Sequence, residues 1–383
     1  MKILHLIYSS GIYGAEKHLL DLLPALKKEG INCELLFICP AQSIGSLQMY
    51  SNEMNAQGIK TALLPTKSKF FALATAKKIY RYLKSNDIKI VHSHLFSADL
   101  IAVLIKTFYS KKLVILSTKH GYEEKYLVQY GLGNKKIRYN PYYFISKAIL
   151  KKTDHNLAVS SALSKLYSSI GLLKNRMKYI HHGINMQPSA PQKIGPEGYP
   201  KIMMVGRLSV IKGHIYIIEA LPEVIKKFPG VKLLLLGDGP LKNKLINQAA
   251  ALNVLDHIEF MGFANPEDYA CQCQLMVQPS LFESFGLVYI EAFALKIPVV
   301  AFDAEAGNEI IENGETGILV PSKDVKALAE SIIYLLESPG ERNRIVANAY
   351  KKYLAYYNVE RMGKETAEWY AAVLKNLSYD FQN

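Results

Sequence analysis

Four cysteines in 383 residues, Cys33, Cys39, Cys271 and Cys273, are too few for a disulfide framework. Cys271-Gln-Cys273 has no second Cys or His pair at zinc-ligand spacing, so a structural zinc site is not expected, and the sparse thiols suit a reducing compartment. Long hydrophobic runs are missing too: LIAVLI at Leu100–Ile105 falls far short of the roughly 18 apolar residues a membrane span needs. MKILHLIYSSGIYG has one lysine and no small-residue cleavage site, so it reads as a buried strand rather than a secretory leader. There is no low-complexity tract, no close repeat and no Gly-x-Gly-x-x-Gly. These absences leave a cytoplasmic protein that is soluble or, at most, peripheral at a membrane.

What is present points to two domains. Half of the residues are hydrophobic, and a chain of this length exceeds what one core organises. The net charge of +13 is unevenly spread: residues 1–180 hold 27 Lys+Arg against 10 Asp+Glu, and residues 181–383 hold 19 against 23. Such a split suits an anionic partner for the first half, although a lysine-rich solvated surface would look the same. KILHLI, CELLFIC, KIVHS, LVILST, NLAV and Lys178–Ile180 read as strands with helices between, the first helix over Gly14–Glu29. MQPSAPQKIGPEGYP lacks apolar periodicity and reads as a linker. The pattern then restarts with KIMMVG, VKLLLLG, IEFMG, LMVQPS, PVVAF and GILV. The expectation is an α/β protein with two Rossmann-like, doubly wound parallel sheets facing across a cleft. Its parts are a domain over 1–185, a linker over 186–200, a second domain over 201–355 and a C-terminal helix, 356–383, that packs elsewhere, back on the first domain.

In such folds ligands bind beyond the carboxyl ends of the strands. Gly11-Ile12-Tyr13-Gly14-Ala15-Glu16 follows the first strand and opens a helix, where Gly14 would let backbone N–H groups approach an anion. By itself such a loop is more often a tight turn. Val205-Gly206-Arg207-Leu208-Ser209-Val210-Ile211-Lys212-Gly213 follows the first strand of the second domain. Arg207 as a planar fork and Lys212 as a point charge would suit a diphosphate, against the blander alternative of two surface cations. His120 closes the strand LVILST before a glycine and is the best histidine candidate; His92 and His94 rank below it, and His181 and His182 read as loop residues.

FESFGLVYIEAF, Phe282–Phe293, places two carboxylates in an apolar stretch. With Glu283 just before a helix and Glu291 about two turns into it, a helical rise over eight residues separates them by about 12 Å. Two carboxylates so spaced can each grip a diol, with the helix N-terminus turned toward phosphates between them. A first-turn acid and an exposed helix position would be the plainer account.

Together these stretches resemble the family 4 retaining glycosyltransferases of the two-domain GT-B fold. The resemblance is carried by YGAEKHLLDLLPAL, STKHG, VGRLSVIKGH, LLLLGDGPL, FMGF, QPSLFESFGLVYIEAFALKIPVVA and GNEIIENGETGILV. It implies that Arg207 and Lys212 bind the donor diphosphate and that Gly14 lets the first-domain loop approach it. It also implies that Glu291 holds the ribose, that Glu283 and the Phe285-Gly286-Leu287 backbone contact the sugar, and that His120 lies near the reacting centre. The family works without a metal or other cofactor, and its donor is a nucleotide-sugar, UDP- or GDP-linked. Two departures stand out: Tyr13 occupies the place of the usual first glycine, and Glu305-Ala306-Gly307-Asn308-Glu309 lacks the usual glycine pair and proline.

Residues 122–152 interleave tyrosines with lysines in the domain where this family binds acceptors. That composition suits a glycan or lipid-linked acceptor beside an anionic membrane surface, or a helix pair whose tyrosines are core. The second-domain motifs speak against nucleic acid. The expected activity is a retaining, metal-independent transfer in bacterial envelope polysaccharide synthesis. Two other readings remain open here: a nucleotide-sugar 2-epimerase on the same fold, and a basic non-enzymatic membrane- or polyanion-binding protein.

Overall fold

The computed structural model describes residues 2–66, 72–130, 138, 140–173, 177–187, 198–304 and 306–380. Most of the expected linker, at 188–197, lies outside them, as do Glu305 and residues 131–137 and 139 of the tyrosine–lysine segment. The chain divides into two units, Met1–Gly183 with Asn358–Asn383, and Ile184–Tyr357. Among the described residues no helix is long and apolar enough to cross a membrane.

The first unit is built on seven parallel strands: β1 (Lys2–Tyr8), β2 (Asn32–Pro40), β3 (Lys60–Thr66), β4 (Ile90–His94), β5 (Val114–Lys119), β6 (His155–Ala158) and β7 (Lys178–Tyr179). Their order is β3-β2-β1-β4-β5-β6-β7, so the winding reverses between β1 and β4. Central strands such as β2 are buried on both faces, which is why CELLFIC reads as one apolar run rather than an alternation. β3 was not expected from the sequence. KTALLPT is a half-exposed edge strand carrying Pro65, so it has neither the apolar run nor the alternation that marks a strand.

Two helices lie on one face of this sheet, Gly14–Lys28 and the C-terminal Val359–Asp380. The latter's Met362, Trp369, Tyr370 and Val373 recur at helical spacing and join the core formed with Ile3, Ile7, Leu19 and Leu23. Gly363 allows the close helix contact, because a Cβ there would stand 2.6 Å from Ala25 Cβ. The opposite face is covered by Ala72–Ser85 and Leu95–Phe108, through Ile79, Leu83, Ile101 and Ile105.

The second unit carries β8 (Lys201–Val205), β9 (Lys232–Leu236), β10 (Ile258–Gly262), β11 (Leu275–Gln278), β12 (Val299–Phe302) and β13 (Ile318–Val320). The order β10-β9-β8-β11-β12-β13 is again parallel throughout and reverses between β8 and β11. Each unit thus has a switch point where two loops diverge from the carboxyl ends of adjacent strands.

Candidate functional sites at the two switch points

In the second unit the loops after β8 and β11 are stitched together. Leu281 N donates to Ile211 O at 2.7 Å, and Leu208 N reaches Asp238 O, after β9, at 3.0 Å. Gly213 sits at φ +73, and a Cβ there would come 1.8 Å from Pro279 O, so only glycine allows this approach. Gly286 (φ +95) is the N-cap of the helix Leu287–Ala294, and a Cβ on it would strike the Tyr289 ring at 2.4 Å.

That framework brings Lys212 and Glu283 into an ion pair. Lys212 Nζ lies 2.6 Å from Glu283 Oε1, with the two side chains 19% and 8% exposed. Glu283 Oε1 also accepts from Ser280 Oγ at 2.9 Å, and Ser280 Oγ accepts from Gln278 Nε2 at 2.9 Å. The carboxylate is therefore held from two sides, and sequence spacing alone did not disclose the pairing. Arg207 is exposed and makes no side-chain hydrogen bond or ion pair among the described residues. Glu291 is buried rather than an exposed helix position. It lies one turn into the helix, not two, since the helix starts at Leu287. Residues 283–286 are not helical, so the 12 Å helical-rise figure does not describe the separation of the two carboxylates. Phe285 is buried and packs edge-on against Tyr357 with ring centroids 6.2 Å apart.

Several buried polar atoms in these segments have no hydrogen-bond partner among the described residues: Ser209 Oγ, both His214 ring nitrogens, Gln278 Oε1 and Tyr289 Oη. Such atoms are costly unless a ligand or water completes them. The His214 pKa is lowered to about 3, first by burial and then by the Lys212 charge, so its ring is neutral and can donate one hydrogen bond and accept another.

In the first unit the loop after β1 is folded on itself. Gly11 N donates to Ser9 Oγ at 3.1 Å, and Glu16 accepts from Tyr13 N at 3.0 Å, capping the helix. Gly14 is the first residue of that helix and is exposed. His120 follows β5, and around it the structure gathers His92 and His94, which the sequence ranked below it, His182, and two histidines the sequence did not single out, His5 and His18. His5 on β1 faces His92 on β4 in the sheet register, and the two-residue spacing of His92 and His94 turns both to the same face. His18 comes from the helix Gly14–Lys28. His182 is a loop residue as expected, but a buried one, and its Nδ1 lies 2.6 Å from His18 Nδ1. His94 Nδ1 lies 3.0 Å from His120 Nε2, and His94 Nε2 lies 3.0 Å from His5 Nδ1. Burial lowers the pKa of every member, to about 3 for His5 and His18 and well below the ordinary value for His92, His94, His120 and His182. The rings are neutral. Two triads, His5/His92/His94 and His18/His94/His120, bring one ligand atom from each residue within 4.8 Å of the others and so have the composition of a metal site. The one signal in the sequence was the His-x-His of VHSH, which puts two imidazoles on one face of a strand.

Beside them, Asp99 is buried and accepts from Ser93 Oγ at 2.6 Å, Ser117 Oγ at 2.5 Å and Lys119 Nζ at 2.6 Å. With every charge-bearing atom paired, this network ties the ends of β4 and β5 together.

Comparison with known proteins covers most of the chain. Residues 12–187 match the family described as Glycosyltransferase Family 4, and residues 186–352 match Glycosyl transferases group 1. Alpha-D-kanosaminyltransferase of Streptomyces kanamyceticus is 30% identical over 185 residues, 48% of either chain. The phosphatidyl-myo-inositol mannosyltransferase of Mycolicibacterium smegmatis is 26% identical over 359 residues, 90% of this chain and 86% of that one. The matched stretch is about half the length of the first curated relatives. Among solved structures, Anabaena Alr3699/HepE in complex with UDP-glucose aligns with a TM-score of 0.79 at 20% identity, over 97% of this chain and all of that one, and shares the fold.

Proposed function

The chain belongs to the family 4, group 1 glycosyltransferases of GT-B fold, and on that premise we propose that it moves a sugar from a nucleotide-sugar to a glycan, glycolipid or lipid-linked acceptor, with retention of configuration and without a metal. The observation that carries this reading is the second unit's switch point. Lys212 after β8 and the buried Glu283 after β11 are locked together, with the exposed Arg207 on the same loop as Lys212, a helix N-terminus after Glu283 and several unpartnered polar atoms in these segments.

Arg207 would grip the diphosphate as a bidentate fork. Lys212 would add charge from a position set by Glu283. Glu291 would hold the ribose. Glu283 and the Phe285-Gly286-Leu287 backbone would contact the sugar, and in the first unit Gly14 and His120 would serve the diphosphate and the sugar. As the glycosidic bond to the diphosphate breaks, charge builds on the leaving oxygens, and Arg207, Lys212 and the backbone N–H groups would stabilise it. The acceptor hydroxyl attacks on the face the nucleotide leaves, so orientation and charge neutralisation do the work and no protein nucleophile is assigned.

The UDP-glucose in the Anabaena structure makes UDP-sugars the first donors to try, with GDP-sugars second. The lipid named for the mycobacterial relatives and the basic first 180 residues support a lipid-linked acceptor at the inner face of the cytoplasmic membrane, in envelope polysaccharide synthesis. Ligand-observed NMR with UDP-, GDP- and ADP-sugars tests the donor. One class should bind the wild type, and bind Glu291→Ala much more weakly. Absence of binding by any nucleotide-sugar to folded protein would refute the site.

A further inference from the structure

In the first unit the helix Pro141–Leu150 is apolar both on the face it buries and on the face it shows to solvent. Tyr143, Ile149 and Leu150 are buried and fix it to the body of the unit. The Asn140 side chain caps its first turn by accepting from Tyr143 N at 2.8 Å, and Tyr143 Oη donates to Gly171 O at 3.1 Å. On the outer side Pro141, Phe144, Ile145 and Ala148 recur at i, i+3, i+4 and i+7, and all four are exposed. Phe144 is 60% exposed and Ile145 46%. A surface helix in water carries polar residues along such a stripe; this one carries none.

Where the stripe runs out, the chain turns basic. Lys151 and Lys152 are exposed just past the helix, and the exposed Lys111 and Lys112 follow the helix Leu95–Phe108, which itself ends on an exposed Phe108. The two lysine pairs lie on neighbouring segments, because Lys106 Nζ lies 2.6 Å from Asp154 Oδ1 and Asp154 also accepts from Ile115 N at 2.7 Å. Residues 95–122 and 140–155 hold two acids, Asp99 and Asp154, and each is spent on a lysine at 2.6 Å, Lys119 and Lys106. Glu123 acts on Tyr142, at the other end of the helix. The lysine end of the stripe therefore keeps an excess of positive charge.

An apolar stripe flanked by lysines matches a bilayer interface, where apolar side chains enter the acyl boundary and ammonium groups meet anionic headgroups. A second copy of the chain would cover the stripe but set lysine against lysine across a two-fold axis. We propose that the exposed stripe of the helix Pro141–Leu150, with the lysine pairs beside it, is the surface by which the first unit lies on an anionic lipid bilayer. The purpose of that contact rests on the reading of a lipid-linked acceptor above; the surface itself does not. The opposite end of the helix reaches the loop after β5, since Tyr142 packs edge-on against Tyr122 with ring centroids 5.1 Å apart.

The test floats full-length protein with vesicles of phosphatidylcholine alone and of phosphatidylcholine with phosphatidylglycerol. At low salt the protein should bind the second and not the first, and rising salt should release it. Phe144→Asp with Ile145→Asp should lower partition by about tenfold or more. Lys151→Gln and Lys152→Gln should each lower it about fivefold. These side chains are exposed, so each variant should keep the wild-type melting temperature. The indole introduced by Phe144→Trp should shift to the blue on vesicles and be quenched by brominated lipid, while the native Trp369 is buried in the core and stays constant. Equal partition onto both vesicles, partition onto neither, or bound protein whose introduced indole is neither shifted nor quenched overturns the proposal. A wild-type dimer in light scattering that Phe144→Asp with Ile145→Asp turns into a monomer also overturns it, in favour of a second copy. Vesicle binding of the expected kind by protein that takes up no nucleotide-sugar would support this surface and overturn the transferase reading instead.

Discussion

The two units share a parallel, doubly wound topology and yet fill their switch points with opposite chemistry. The second unit uses charge: a guanidinium in solvent and a lysine–glutamate pair half withdrawn from it. The first unit gathers neutral imidazoles, six of them with pKa values lowered by burial, and the buried ion pair there, Asp99–Lys119, is fully paired within itself. A strand end near a helix N-terminus can thus be furnished to hold fixed charge or to hold oriented dipoles. The first arrangement suits a phosphate; the second suits hydroxyl groups, which both give and accept hydrogen bonds.

Acid should separate the units most strongly. Each buried histidine of the first unit has a folded pKa below its unfolded value near 6.5, so the unfolded state takes up protons that the folded state refuses. The stability these groups contribute is complete above about pH 6.5 and is lost as the pH falls from there, down to about 3 for His5 and His18. The slope is about 1.4 kcal/mol per pH unit for each histidine. The second unit has one such histidine with a resolved shift, His214. Hydrogen exchange at pH 7.5 and pH 5 should show β1, β4 and β5 losing protection while β8, β9 and β11 keep theirs. Equal losses in both units would break the comparison.

A smaller effect, confined to the second unit, is expected of Lys212→Met. It leaves Glu283 buried without its cation and should cost about 3 kcal/mol in urea unfolding. Adding Glu283→Gln should recover much of that stability while donor affinity stays low, which separates the pair's structural part from its binding part. Full recovery of affinity in the double variant would remove both residues from the site. Gly213→Ala should cost about 2 kcal/mol through its positive φ and its contact with Pro279 O, with loss of nucleotide binding and no change in first-unit exchange.

Legibility in the sequence followed the range of the interactions. Parallel sheets announce themselves through apolar runs between helical patterns, and of the thirteen strands among the described residues only the half-exposed, proline-bearing β3 escaped notice. In the second unit the glycines, cations and carboxylates mark loop ends locally, so Arg207, Lys212, Glu283 and Glu291 could be picked out. That Lys212 and Glu283 are partners could not, because 71 residues separate them and only the stitching of two loops brings them together. The histidine cluster was less legible still. Its links join residues up to 365 positions apart, His5 to Tyr370, and a buried histidine is locally indistinguishable from any other core position.

Tyr370 belongs to a helix that is translated after the whole second unit, although it completes the core of the first. On the ribosome, β1 to β7 emerge early but lack Met362, Trp369 and Tyr370 until the second unit has also emerged. The second unit has all of its strands as soon as Tyr357 has cleared the exit tunnel. The order of maturation is therefore the reverse of the order of synthesis: the unit begun first is completed after the second, when that closing helix docks.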